Sequence, residues 1–278
     1  MDEEYMALLS SYQFWIMPGS LTSRFIPNFV RGAIGSGLHR YLRQRLYGPI
    51  KQKISQAVDH AQCRVQSRSE HDREQDGELI QWYLQQAKTM PDPAFITDLD
   101  TLCSTIIFLN TAAGPIALFA TGTMNNILQY EHVDGLVTEL RQEITQAHSE
   151  DPGEWSWAKL EKLKLLDSVV QESLRLDMYG GLNFERVVME AINIPDGPHL
   201  EKGTIVVFPN FAVHRDPGNY EEPDIFQPHR FVKAPGRLYD ISGRYLPSGY
   251  GRRTCPGRWY GTAMIKLILA QLITRLRL

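Results

Sequence analysis

The chain has 278 residues, 43% of them hydrophobic and 22% charged, and a formal net charge of −3. That length can bury a sizeable core, and the acidic balance excludes nucleic acid as the default partner, because phosphate binding calls for an excess of Lys and Arg. Three cysteines, Cys63, Cys103 and Cys255, with no CxxC pair, exclude a disulfide framework and a zinc site of that type, and they point to a reducing compartment.

The N-terminus, MDEEYMALLS, has acidic residues where a secretory signal needs basic ones. Leu38, Leu42, Leu46, Ile50, Ile54 and Val58 recur every four residues, which predicts helix, and Gly48-Pro49 should kink or split it. The intervening Arg40, Arg43, Arg45, Lys51 and Lys53 read as a solvated face rather than a membrane contact. Residues 64–78 read as a charged surface loop, and ELIQWYLQQAK as a short helix. Between Asp100 and Glu131 no side chain is charged, a run long enough to cross a bilayer. Asn110, Gly114, Pro115 and the Asn125-Asn126 pair favour instead a long helix buried in a protein core. An amphipathic helix from Glu131 to His148 follows, ended by the SEDPGEW turn. SWAKLEKLKLLDSVVQESLRL then predicts a helix with Leu160, Leu163, Leu166, Val169, Val170 and Leu174 on one side. From Phe184 the texture changes to short strands, RVVMEAINI and TIVVFPNF, joined by tight turns. HRDPGNYEEPDIFQPHRF reads as a proline-punctuated meander, and an apolar helix begins just after Cys255. The fold class is mainly α with a small β portion.

The stretch LPSGYGRRTCPGR is chemically distinctive. A thiolate ligates metal far better than a thiol, and Arg252, Arg253, Arg258 and a helix N-terminus near Gly257 all favour the thiolate of Cys255. Gly249, Gly251 and Gly257 let the backbone bend closely around a sulfur. One cysteine presented this way suits an ion whose other ligands are not protein side chains, and haem iron meets that requirement. The arginines suit the two propionates. A structural cysteine in a basic turn stays open on these residues alone; a nucleophilic cysteine is less favoured, with no histidine nearby in sequence. Glu172 and Arg175 share a helix face at i and i+3, and Arg230, between Phe226 and Phe231, could reach the same carboxylate if the meander folds back.

Glu-x-x-Arg, an aromatic, Pro, Arg, aromatic meander (FQPHRF), and Gly-x-Arg-x-Cys-x-Gly, in this order, resemble the cytochrome P-450 family of haem-thiolate monooxygenases. The resemblance implies one partial domain over 1–278 of that fold, incomplete at both ends: 1–183 mostly helical, 184–211 short strands, 212–254 meander and cysteine loop, 255–278 helix. Its texture resembles the C-terminal part of fungal specialised-metabolism members. It implies Cys255 as the iron ligand, Glu172, Arg175 and Arg230 as a structural triad, and Arg253 as a propionate partner. Gly257 is a further cofactor-binding candidate, and His214 reads as a turn residue packing near the haem edge, with contact to iron or propionate the alternative. Haem b would be the cofactor, with electrons from NADPH through a flavin reductase and an apolar small molecule as substrate. The implied location is the endoplasmic reticulum membrane, with no anchor or membrane span in this chain. Two departures stand out. Ser248 replaces the family's Phe, so a hydroxyl could donate to the sulfur and raise the iron potential. The distal helix reads NTAAGP where an acid-alcohol pair relays protons, leaving Asn110 and Thr111 a turn earlier to hold a water. A haem-dependent isomerase or dehydratase, or a truncated non-catalytic relative, are the alternatives.

Overall fold

The computed structural model describes residues 36–37, 40–41, 43–67, 79–92, 94, 97–111, 113–177, 183–233 and 236–275. The chain divides into two compact units, Met1–Ala113 and Gly114–Leu278.

In the first unit a π-helical turn, Arg43–Tyr47, leads into α1 (Gly48–Ser67), followed by α2 (Leu79–Ala87) and α3 (Leu99–Thr111). The winding changes at Gly48-Pro49, because a proline has no N–H to continue the preceding ladder. Ile50 and Ile54 of the four-residue stripe are buried against Leu102, Cys103 and Ile107 of α3, while Leu38 and Leu42 lie outside the described residues. Lys51 Nζ and Tyr47 Oη both donate to Asp100, at 2.6 and 2.9 Å, tying the same helices at their rim. Burial pushes the Cys103 thiol up to about 11, which makes it an inert packing group. The Cys63 side chain and residues 68–78 lie outside the described residues.

The second unit holds α4 (Ala113–Asp134, starting one residue before the boundary), α5 (Leu136–Glu150), α6 (Trp157–Lys162) and α7 (Lys164–Leu176). Then come β1 (Asn183–Val187), β2 (Ile192–Asn193), β3 (His199–Leu200), β4 (Ile205–Phe208), α8 (Asn210–His214) and α9 (Arg258–Arg275). Its core joins Ile127, Leu140, Ile144, Leu166, Val169, Val170, Leu269 and Ile273 from α4, α5, α7 and α9. Gly135, at φ 66, separates α4 from α5, so the amphipathic helix starts at Leu136 rather than Glu131. The helix expected from Ser156 to Leu176 is split at Leu163. Ser156 caps α6 by accepting the Lys159 N–H at 3.2 Å. Glu143, from α5, accepts the Leu165 and Leu166 N–H groups at 2.6 and 3.0 Å and so caps α7. That cap comes from 22 residues away, beyond any local pattern.

β1 pairs antiparallel with β4, and β2 with β3, so the small hairpin nests inside the larger one. One expectation needs correction. Leu99–Tyr130 is long and apolar enough to cross a membrane, by length and composition only, yet just 20% of its most apolar window is buried. A helix apolar all round selects no solvent face. On α4 the line through Ala120, Thr123 and Ile127 is covered, while Leu118 and Leu128 are exposed.

Lys266 of α9 is buried with Asp167 of α7 at 2.5 Å, and its ammonium also donates to the Leu160 carbonyl. Burial lowers the lysine and raises the aspartate from their ordinary values, although each ion opposes the other's shift. Asp167→Ala should cost about 3 kcal/mol in urea unfolding, because Lys266 stays buried and unpaired, whereas Asp167→Leu combined with Lys266→Met should recover most of it.

Candidate functional site

The site is built outward from α7, which presents Glu172 and Arg175, 0% and 1% exposed. Their i, i+3 spacing allows a bidentate pair: Arg175 Nε donates to Glu172 Oε2 and Nη2 to Oε1, both at 2.8 Å. Arg230 Nε donates to the same Oε1 at 3.0 Å, and so does the Gln227 N–H. The second positive charge is met by main-chain oxygens. Arg175 Nη1 donates to the carbonyls of His214 and Pro223 at 2.6 and 2.5 Å. Arg230 donates to those of Glu221, Glu222 and Ile225 at 2.6, 3.2 and 3.2 Å. Tyr220 lies beneath both guanidinium groups, its ring centroid 4.8 Å from Arg175 and 6.0 Å from Arg230, and its hydroxyl donates to the Arg244 carbonyl at 2.8 Å. The two aromatics flanking Arg230 fasten the meander. Phe226 packs on the core and meets Tyr130 edge-on at 5.7 Å, and Phe231 meets Tyr245 at 6.0 Å.

His214 connects this network to the cysteine loop. It is 0% exposed, and its Nδ1 pairs with the Arg175 carbonyl at 3.2 Å. Its Nε2 accepts the Leu246 N–H at 2.8 Å, which fixes the tautomer with the proton on Nδ1. The ring stacks on buried Tyr245 at 5.8 Å. This corrects the expectation that His214 contacts the cofactor: both nitrogens are committed to backbone groups, and burial lowers its pKa from 6.5 to about 4.

Beyond Leu246, Gly249 and Gly251 adopt φ 85 and 72, the left-handed values that a tight bend requires. The Cys255 N–H donates to the Ser248 carbonyl at 2.8 Å, closing the loop, and Arg258 Nη1 donates to the Cys255 carbonyl at 2.9 Å. Ser248 therefore holds Cys255 through its backbone carbonyl. Cys255 is a free, exposed cysteine, and a Cβ added at Gly257 would sit 3.9 Å from its Sγ. Arg252 and Arg253 are exposed and make no side-chain hydrogen bond among the described residues.

The donor set fits a haem. No cluster of three or more His, Cys, Asp or Glu that could hold a metal occurs among the described residues, so Cys255 would be a lone protein ligand. The thiol is flanked in sequence by Tyr250, Trp259 and Tyr260, which are 60%, 42% and 60% exposed, and by the exposed Arg252 and Arg253, a combination that suits a large apolar group with anionic substituents. Asn110 and Thr111 end α3 in the first unit, and their side chains lie outside the described residues. The YGGLNF segment falls mostly outside them too. The sequence reading missed α8, the His214 strap and the Tyr220 platform. The only signal for them was polar residues, Asn210 at the end of a stretch read as strand and His214 and Tyr220 in one read as irregular.

Glu172→Gln leaves two guanidinium groups without the one carboxylate they share, and should cost about 4 kcal/mol in chemical denaturation. His214 adds a pH dependence. Its folded pKa is depressed, so the stability it supports is complete above the unfolded value of 6.5 and is lost as pH falls towards 4. That loss should reach about 3 kcal/mol in the parent protein and vanish from the pH profile of His214→Gln.

A family model described as cytochrome P450 matches residues 34–278. Cytochrome P450 monooxygenase 71 of Postia placenta is 27% identical over 91% of this chain and 48% of its own length. Cytochrome P450 monooxygenase verB of Clonostachys rogersoniana is 29% identical over 72% of this chain and 40% of its own. For trt6 of Aspergillus terreus the values are 26%, 92% and 49%. The chain spans about half the length of these relatives or less. The Glu172–Arg175–Arg230 network, the exposed thiol beyond it and a match over most of the sequence lead to one conclusion: this chain belongs to the cytochrome P450 family.

Proposed function

We propose that the chain carries the haem-binding portion of a monooxygenase that acts on an apolar small molecule of fungal secondary metabolism. The observation that supports this best is the exposed thiol of Cys255, on a loop tied through Leu246 and His214 to the buried Glu172 network. In this reading Cys255 is the one protein ligand to haem iron, Arg253 pairs with a propionate, and Gly257 keeps the space beside the sulfur free of a side chain. Haem, when bound, supplies oxygen activation and insertion of one oxygen atom, assisted by thiolate donation. Electrons would come from NADPH through a flavin reductase, at the endoplasmic reticulum.

The chain's own residues hold and orient. Glu172, Arg175 and Arg230 fix the meander, His214 carries that position to Leu246, and Gly249 and Gly251 turn the backbone towards Cys255. Asn110 and Thr111 would be the candidates to hold a water where the family has an acid-alcohol pair. A second reading is a non-catalytic relative that takes up no haem.

The test is a carbon monoxide difference spectrum of the purified chain, loaded with haem and reduced. The long-wavelength band of thiolate ligation is expected, and Cys255→Ser should lack it. Failure to take up haem would favour the non-catalytic reading, and identical spectra for the two proteins would remove Cys255 from the iron.

A further inference from the structure

A cavity of about 420 Å³ lies in the second unit, between α6, the start of α7, α9 and the turn at Arg237–Tyr239. It is distinct from the cysteine loop, and nothing above gives it a role. Its volume is within the range of small-molecule sites.

One wall is aromatic: the Trp157 and Tyr239 rings lie 6.0 Å apart with an interplanar angle of 41°. This wall is braced, because Arg237 Nη1 donates to the Tyr239 hydroxyl at 2.5 Å and that hydroxyl donates to Glu161 at 2.9 Å. The floor is the buried Lys266–Asp167 pair. Lys162, Lys164, Arg237 and Lys266 give the lining four cations against two carboxylates, Glu161 and Asp167, a surplus of two. Both carboxylates are engaged, Glu161 by Tyr239 and by Arg237 at 3.5 Å, and Asp167 by Lys266. The lysines are less so. Lys164 is exposed and makes no ion pair or hydrogen bond among the described residues, and Lys162 reaches Glu150 only at 3.7 Å. Lys266 has two named acceptors, Asp167 and the Leu160 carbonyl, for three N–H groups.

A braced aromatic wall beside excess positive charge has one chemical complement. We propose that this cavity binds a small aromatic carboxylate, its ring on Trp157 and Tyr239 and its carboxylate between Lys164 and Arg237. A neutral aromatic would gain the wall but not the cations, and an inorganic anion the cations but not the wall.

The probe is 2-naphthoate, titrated calorimetrically into the purified full chain, with 2-naphthylmethanol as the neutral control. One saturable site is expected for the carboxylate, with the alcohol about tenfold weaker or worse. Lys164→Gln combined with Arg237→Gln should weaken naphthoate by about tenfold, and Trp157→Ala should do the same. Lys164 and Arg237 are exposed, so the double variant should keep the parent's urea midpoint and circular dichroism. Absence of saturable binding, equal affinity for the alcohol, or naphthoate affinity unchanged in the double variant would each overturn the proposal; the last would put the ligand elsewhere on the chain.

Discussion

One buried carboxylate organises the second unit. Glu172 lies at 0% exposure between two guanidinium groups, and a surplus positive charge cannot stay there without acceptors. The acceptors are main-chain carbonyls at His214, Pro223 and Ile225 for Arg175, and at Glu221, Glu222 and Ile225 for Arg230. The meander has no strand ladder or long helix to satisfy its backbone. It is held because those oxygens must surround the arginines, and moving any of them would uncover a buried charge. The bonding is reciprocal: the irregular segment neutralises the cluster, and the cluster gives the segment a single path.

The same constraint reaches the cysteine loop through short steps. Arg175 uses its side chain on the His214 carbonyl and its own carbonyl on the His214 ring, so helix and ring fix each other. The far nitrogen then holds Leu246, three residues before the first left-handed glycine. A neutral imidazole is needed, since Nε2 must accept, and desolvation provides it. The thiol is left outside the core while its backbone is fixed from both sides, by Ser248 and by Arg258. An exposed thiol on a fixed frame is the arrangement that the proposed ligation of haem iron needs.

Much of this was legible because the signals are local. The stripe through Ile50 and Ile54, the Glu172–Arg175 spacing and the glycines around Cys255 each state their geometry within a turn or two. Arg230 could be placed only because two aromatics bracketed it, which made a fold-back onto α7 plausible. What stayed hidden depended on long-range partners. The split at Leu163 follows from Glu143 reaching across to cap α7, and nothing near Leu163 announces it. His214 looked like a cofactor contact because histidine chemistry is versatile; only the positions of Arg175 and Leu246 show that both nitrogens are occupied. The exposure of α4 is similar: composition told that the helix is apolar, but not which faces find a neighbour.

The central claim, that this frame exists to offer one sulfur to a metal, is tested most directly by iron-edge X-ray absorption of the haem-loaded chain. A single sulfur neighbour to iron in the parent protein, absent from Cys255→Ser, is the result the account predicts. An iron environment of nitrogen and oxygen alone, the same in both proteins, would contradict it.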